Sequence, residues 1–248
     1  AQYVGKTENI GSVEHRAIAR EAVQKSLVVL KNEEVLPLSK SAPVFLTGSH
    51  ANNTGLQCGG WTQGWEGSST SVSGATSIQT GFDMVAAGAR VTSAESANSI
   101  VYVIGEVPYA EWLGDFRGSD FNNKFITTAS YMSTEFGSTD QYVNQVKTWK
   151  AQGKKVTVVL ITGRPLPITS LIDAADAFVV AWLPGSEGAG VADARGSHGA
   201  LPVGSQGERQ EDPSRSALAQ IRSARPQVEG DGRRNRTLGD QDRQVVRF

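Results

Sequence analysis

Four short apolar runs set the terms for any fold of this chain. They are "APVFLTGSHA" (42–51), "SIVYVIGEVPY" (99–109), "KKVTVVLITGRPLP" (154–167) and "DAFVVAWLPGSEG" (176–188). Each is rich in β-branched residues and opens into a polar loop that bears glycine. The third carries Val156, Val158, Val159, Leu160 and Ile161 almost without interruption. A run with so little polar alternation is what a parallel strand buried on both faces requires. Helical patterns stand between the runs, over 76–88, 139–153 and 167–176. The second of these sets Tyr142, Val143, Val146 and Trp149 on one side and ends at Gly153, a C-cap residue. Strands alternating with helices predict an α/β fold, a three-layer α/β/α sandwich around a mostly parallel sheet. In such sheets ligands lie beyond the carboxyl ends of the strands. Those ends carry "GSHANN", "GEVPYAE", "TGRP" and "LPGSEG".

Before the first run, residues 13–31 read as one amphipathic helix. Ser12 is its N-cap, and Ala17, Ala19, Ala22, Val23, Leu27 and Leu30 form its apolar face. The last 55 residues, 194–248, are of another composition. They hold ten of the chain's 15 arginines, none of its nine lysines, and a single aromatic at Phe248. So polar a segment cannot bury enough apolar area to offset its ordering entropy. The expected organisation is a linker over 1–12, the sandwich over 13–193, and a divergent or disordered tail from Ala194.

Composition narrows the function classes. A formal net charge of -1 provides no global field for nucleic acid or an anionic membrane. The tail arginines are diluted by acidic residues and lack interleaved aromatics, so an RNA-binding arm is not favoured. No run reaches the roughly 18 apolar residues of a membrane-spanning helix. The N-terminus has no secretory signal pattern and reads as a mature start or a cut inside a longer chain. Cys58 is the one cysteine, so no internal disulfide forms, and no histidine motif marks it as a nucleophile.

The segment "CGGWTQGWEG" (58–67) fits none of the regular patterns. Trp61 and Trp65 stand four residues apart among glycines, on what reads as a flexible backbone that holds both indoles out. At the end of the second run, Glu106 and Glu111 lie five residues apart, and either could serve as an acid or base.

From "EHRAIAREAVQKSLVVLKNEEVLPL" (14–38) onward, the chain resembles the second domain of glycoside hydrolase family 3, the β-glucosidases and β-glucan exohydrolases. The likeness continues through "GSHANNTGLQCGGWTQGW", "VIGEVPYAEWLGD", "VVLITGRPLPI" and "AWLPGSEGAGVAD" in the family's order and spacing. It implies an α/β/α sandwich that works beside a (β/α)8 barrel, with the active site between them. The barrel supplies an aspartate nucleophile, and the sandwich supplies the general acid/base. By position that acid/base is Glu111, with Glu106 a structural or loop-orienting carboxylate. Such chemistry is a retaining double displacement, which needs two carboxyls about 5–5.5 Å apart. A carboxyl partly desolvated beside a carboxylate can hold its proton near neutral pH.

Trp61 and Trp65 match the family's tryptophan pair, flat walls for the sugar next to the cleaved bond, although one indole could instead anchor the loop. Arg164 and Glu187 match supporting positions at strand ends, and His15 and His50 read as structural histidines. No cofactor and no metal are implied. The implied partners are a β-glucan or gluco-oligosaccharide substrate and the barrel domain, with a secreted or periplasmic location. Residues 1–248 contain no barrel, so the isolated chain is expected to be inactive. A non-catalytic carbohydrate-binding or partner-docking module is the alternative. The likeness lapses after "GVAD" (190–193), where a shifted reading frame and a genuinely divergent tail both remain open.

Overall fold

The computed structural model describes residues 4–111, 141–166 and 168–193. The expected tail from Ala194 lies outside these residues. A six-stranded sheet forms the centre. Its strands are β1 (Val28–Asn32), β2 (Val44–Thr47), β3 (Arg90–Val91), β4 (Ser99–Gly105), β5 (Lys155–Ile161) and β6 (Ala177–Trp182), in the order β1-β6-β5-β4-β2-β3. All neighbouring pairs are parallel except β1 with β6. This is the mostly parallel α/β sandwich that the four runs predict.

Side-chain alternation explains why those runs are apolar throughout. Val159, Ile161, Val179 and Ala181 point to one face of the sheet. There they pack with Val23 of α1 (Val13–Ser26), Ile78 and Phe82 of α3 (Ile78–Ala86), and Val191 of α6 (Gly190–Asp193). Val158, Leu160, Phe178 and Val180 point to the other face. They meet Val143, Val146 and Trp149 of α4 (Gln141–Ala151) and Leu171 of α5 (Thr169–Ala174). Each such valine, leucine, isoleucine or phenylalanine contributes roughly 1.5–3 kcal/mol by leaving water.

The first helix departs from expectation. It starts as predicted, with the Ser12 hydroxyl accepting the His15 backbone N–H, but it ends at Ser26. The following residues form β1, antiparallel to β6 at the sheet edge. "LVVLKN" satisfies helical spacing and strand composition equally, and pairing with β6 decides between them. Lys31 fixes the strand by donating to the carbonyls of Ile172, Asp173 and Ala175 at the end of α5. Only Val23 and Leu27 of the expected apolar face are buried. Ala17, Ala19, Ala22 and Leu30 are exposed. His15 is exposed as well, so it has no packed structural role in these residues.

Two small elements had no clear signal in the sequence. β3 is only two residues long. Helix α2 (Thr54–Cys58) is a single turn, capped by Asn53, whose side chain accepts the Leu56 N–H at 3.0 Å. It delivers the chain from β2 into the tryptophan loop. Cys58 closes it, buried, with burial pushing its thiol pKa up and away from reactivity.

Candidate active site

A cleft opens at the carboxyl end of the sheet. Gly60, Trp61, Tyr109, Glu111, Gly163 and Leu183 line it, drawn from the segments that follow β2, β4, β5 and β6. The structure thus brings Trp61 and Glu111 to one cleft. Trp65 is not among its lining residues.

The tryptophan loop is more tightly built than its glycines suggest. The Trp61 N–H donates to the Trp65 carbonyl at 3.1 Å, and a β-bridge joins Thr62 to Gly64. The Thr62 hydroxyl donates to the Gly59 carbonyl at 2.8 Å. A Cβ on Gly60 would lie 2.0 Å from the Tyr109 carbonyl oxygen, and one on Gly67 would lie 2.4 Å from that of Gly59. These glycines therefore permit close backbone packing and are not a source of freedom. The expectation of a flexible backbone is corrected on this point. The other expectation is met, since Trp61 is 65% and Trp65 43% exposed.

The segment 106–110 has no regular secondary structure, and side chains give it shape. Glu106 is buried at 4% exposure. Its Oε1 accepts from Arg164 Nε at 2.8 Å and Nη2 at 2.6 Å. Its Oε2 accepts from the Thr162 hydroxyl at 2.7 Å and the Tyr109 hydroxyl at 3.3 Å. The Arg164 guanidinium also lies 4.3 Å from the centre of the Tyr109 ring, a cation–π contact. Glu106 is thus a loop-orienting carboxylate with both oxygens engaged. Glu111 is exposed at the cleft.

His50 supports the same segment from below. Its Nε2–H donates to the Glu106 carbonyl at 3.1 Å, and its Nδ1 accepts from the Ser49 hydroxyl at 2.9 Å. Burial lowers its pKa to about 4, so the ring is neutral at ordinary pH. Glu187, in the segment after β6, binds Arg16 at 3.0 Å and accepts from the Thr76 hydroxyl. It ties α1 to two loops and lies apart from the cleft residues.

Among the described residues, left-handed φ angles at non-glycine positions occur at Glu34, Trp61, Glu111 and Trp182. The last three lie in the segments following β2 and β4 and at the end of β6, near the cleft. Each such residue costs on the order of 1 kcal/mol or more, and strain of this kind clusters at functional sites. Tyr109 and Leu183 were not singled out by sequence reasoning. Tyr109 sits three residues after Glu106 in an otherwise plain loop. Leu183 looks like the tail of an apolar strand until its packing against Gly59 is seen.

The profile of the Glycosyl hydrolase family 3 C-terminal domain matches residues 27–196. The chain belongs to glycosyl hydrolase family 3. It is 29% identical over 213 residues to the lysosomal beta glucosidase of Dictyostelium discoideum, covering 73% of this chain and 24% of that protein. It is 29% identical over 199 residues to the periplasmic beta-glucosidase of Salmonella typhimurium, covering 70% and 26%. The crystal structure of an exo-1,3/1,4-beta-glucanase from a Pseudoalteromonas species superposes with a TM-score of 0.62 at 37% identity, over 76% of this chain and 24% of that one. The family 3 chain described here therefore spans about a quarter of the length of the curated relatives it matches.

Proposed function

We propose that residues 13–193 form one wall of the active site of a retaining, exo-acting β-glucosidase or β-glucan glucohydrolase. The supporting observation is that Glu111 and the exposed indole of Trp61 line the same cleft at the carboxyl end of the sheet. Glu111 is the general acid/base. A nucleophilic carboxylate from the barrel domain of the same enzyme, outside residues 1–248, attacks the anomeric carbon. As the bond to the leaving oxygen breaks, Glu111 gives that oxygen its proton. Water then attacks the glycosyl–enzyme bond, Glu111 takes the water's proton, and the nucleophile leaves with configuration retained.

Glu106 does not compete for this role, because its two oxygens already accept four hydrogen bonds. Trp61 offers a flat apolar face to the sugar on the leaving-group side, and Trp65 offers a second from the same loop. The relatives' names favour a β-glucan or gluco-oligosaccharide substrate. A periplasmic and a lysosomal relative favour a secreted or periplasmic location.

A chimera in which residues 27–193 replace the matching domain of the Pseudoalteromonas enzyme tests the reading. Glu111→Gln should lower kcat/KM on a β-glucoside with a poor leaving group by about 10²–10⁴-fold. An active chimera indifferent to that change removes Glu111 from the chemistry. Saturable quenching of tryptophan fluorescence by laminari-oligosaccharides on the 248-residue chain, with an inactive chimera, would instead mark a carbohydrate-binding module.

A further inference from the structure

Glu111 stands at the end of an arch, residues 106–111, of which 106–110 have no regular secondary structure. Its first residue is well fixed. The Glu106 N–H donates to the Ile161 carbonyl at 3.0 Å, and the Glu106 carbonyl receives His50. Those bonds hold residue 106 only. Five residues further on, the backbone must still be in the correct place, with Glu111 at a φ of +51°. A strained residue keeps such a conformation only when its surroundings over-determine it.

Tyr109 provides the intermediate hold. Its hydroxyl reaches Glu106 Oε2, and a Cβ on Gly163 would approach that hydroxyl to 3.0 Å. Its carbonyl abuts Gly60, the residue before Trp61. Arg164 covers its ring while binding the Glu106 carboxylate. One guanidinium therefore fixes the two side chains that shape the arch, and Tyr109 passes that placement to the tryptophan loop. The combination is specific to arginine. A lysine could balance the Glu106 charge, but it has neither the planar face nor the fork of donors.

We propose that Arg164 is the positioning residue for Glu111, holding the arch through Glu106 and Tyr109 so that Glu111 and Trp61 come to one cleft. The role rests on the reading of that cleft as the active site. A simpler role, charge balance for a buried carboxylate, makes a different prediction for lysine.

The test uses the indole N–H resonance of Trp61 in the full 248-residue chain, assigned through Trp61→Phe and followed across the carboxylate titration range. In the wild type it should move with an inflection that Glu111→Gln abolishes. Arg164→Met and Arg164→Lys should both shrink that inflection about twofold or more, because neither side chain can stack and fork together. Glu106→Gln, which keeps the shape and loses the charge, should shrink it as well and serves if Arg164→Met does not fold. A full-sized inflection in Arg164→Lys overturns the positioning role and leaves charge balance. An inflection that survives Glu111→Gln sinks the reading of the cleft and the positioning role with it. One that depends on Glu111 and is indifferent to Arg164 and Glu106 sinks the positioning role alone.

Discussion

Nε and Nη2 of Arg164 converge on a single oxygen of Glu106, at 2.8 and 2.6 Å. The pair joins the loop after β5 to the end of β4; Glu106 is buried and Arg164 part-buried, with side-chain exposures of 3% and 17%. Removing one partner strands the other charge out of water. Glu106→Ala should therefore destabilise the domain by about 3–5 kcal/mol, read from urea denaturation. A loss below about 1 kcal/mol would mean that solvent reaches Arg164 freely once its partner is gone.

His50 gives the stability an acid limb. The folded ring resists protonation until about pH 4, because burial lowers its pKa from an ordinary 6.5. The unfolded chain takes up that proton at the higher value. Stability is thus full above roughly pH 6.5 and falls as the pH drops toward 4, by about 3 kcal/mol at most. Carboxylates titrate over part of the same range, so the informative quantity is a difference. The denaturation midpoint of His50→Gln should depend less steeply on pH between 6.5 and 4 than that of the wild type. Parallel pH profiles would contradict a neutral buried ring.

Thr157 lies on β5, fully buried, and its hydroxyl has no hydrogen-bond partner among the described residues. The folded state leaves that oxygen desolvated and unpaired. Thr157→Val keeps the shape and removes the unsatisfied group, so it should stabilise by about 1 kcal/mol, seen as a raised Tm. A lowered Tm would point to a buried water bonded to the hydroxyl.

Gly60 and Gly64 form a matched pair within one loop. Gly60→Ala drives a Cβ to 2.0 Å from the Tyr109 carbonyl, so backbone must move. Gly64 has a φ of +83° and open space around it. Alanine there meets only the left-handed backbone penalty, about 1–2 kcal/mol. Circular dichroism melts should show the larger loss for Gly60→Ala, and equal losses would mean the loop floats free of Tyr109.

The contrast between what the sequence reveals and what it hides follows from distance along the chain. The strand runs were legible because sheet burial acts on every residue in turn, so Val156 to Ile161 carry the signal themselves. β1 was hidden because Val28, Val29 and Leu30 are part-exposed at an edge, and only the partner strand makes them a strand. The glycines beside Trp61 read as slack for the same reason. What they accommodate is the carbonyl of Tyr109, far away in sequence. The four bonds to Glu106 likewise come from residues that share no local pattern. Trp61 and Trp65 stood out by their glycine-rich setting and Glu106 and Glu111 by their place after a strand, but only the family likeness offered them roles, since spacing alone left Glu106 and Glu111 equal.

Tyr109 faces Arg164 with its ring and Gly60 with its carbonyl. Across descendants of this domain, that single residue makes two loops answerable to each other. A lineage that accepts a side chain at position 60 must re-site the backbone at 109, and with it the carboxylate at 111. Variation in the aromatic wall and in the arch should therefore arise as paired substitutions, which makes the two loops one heritable unit.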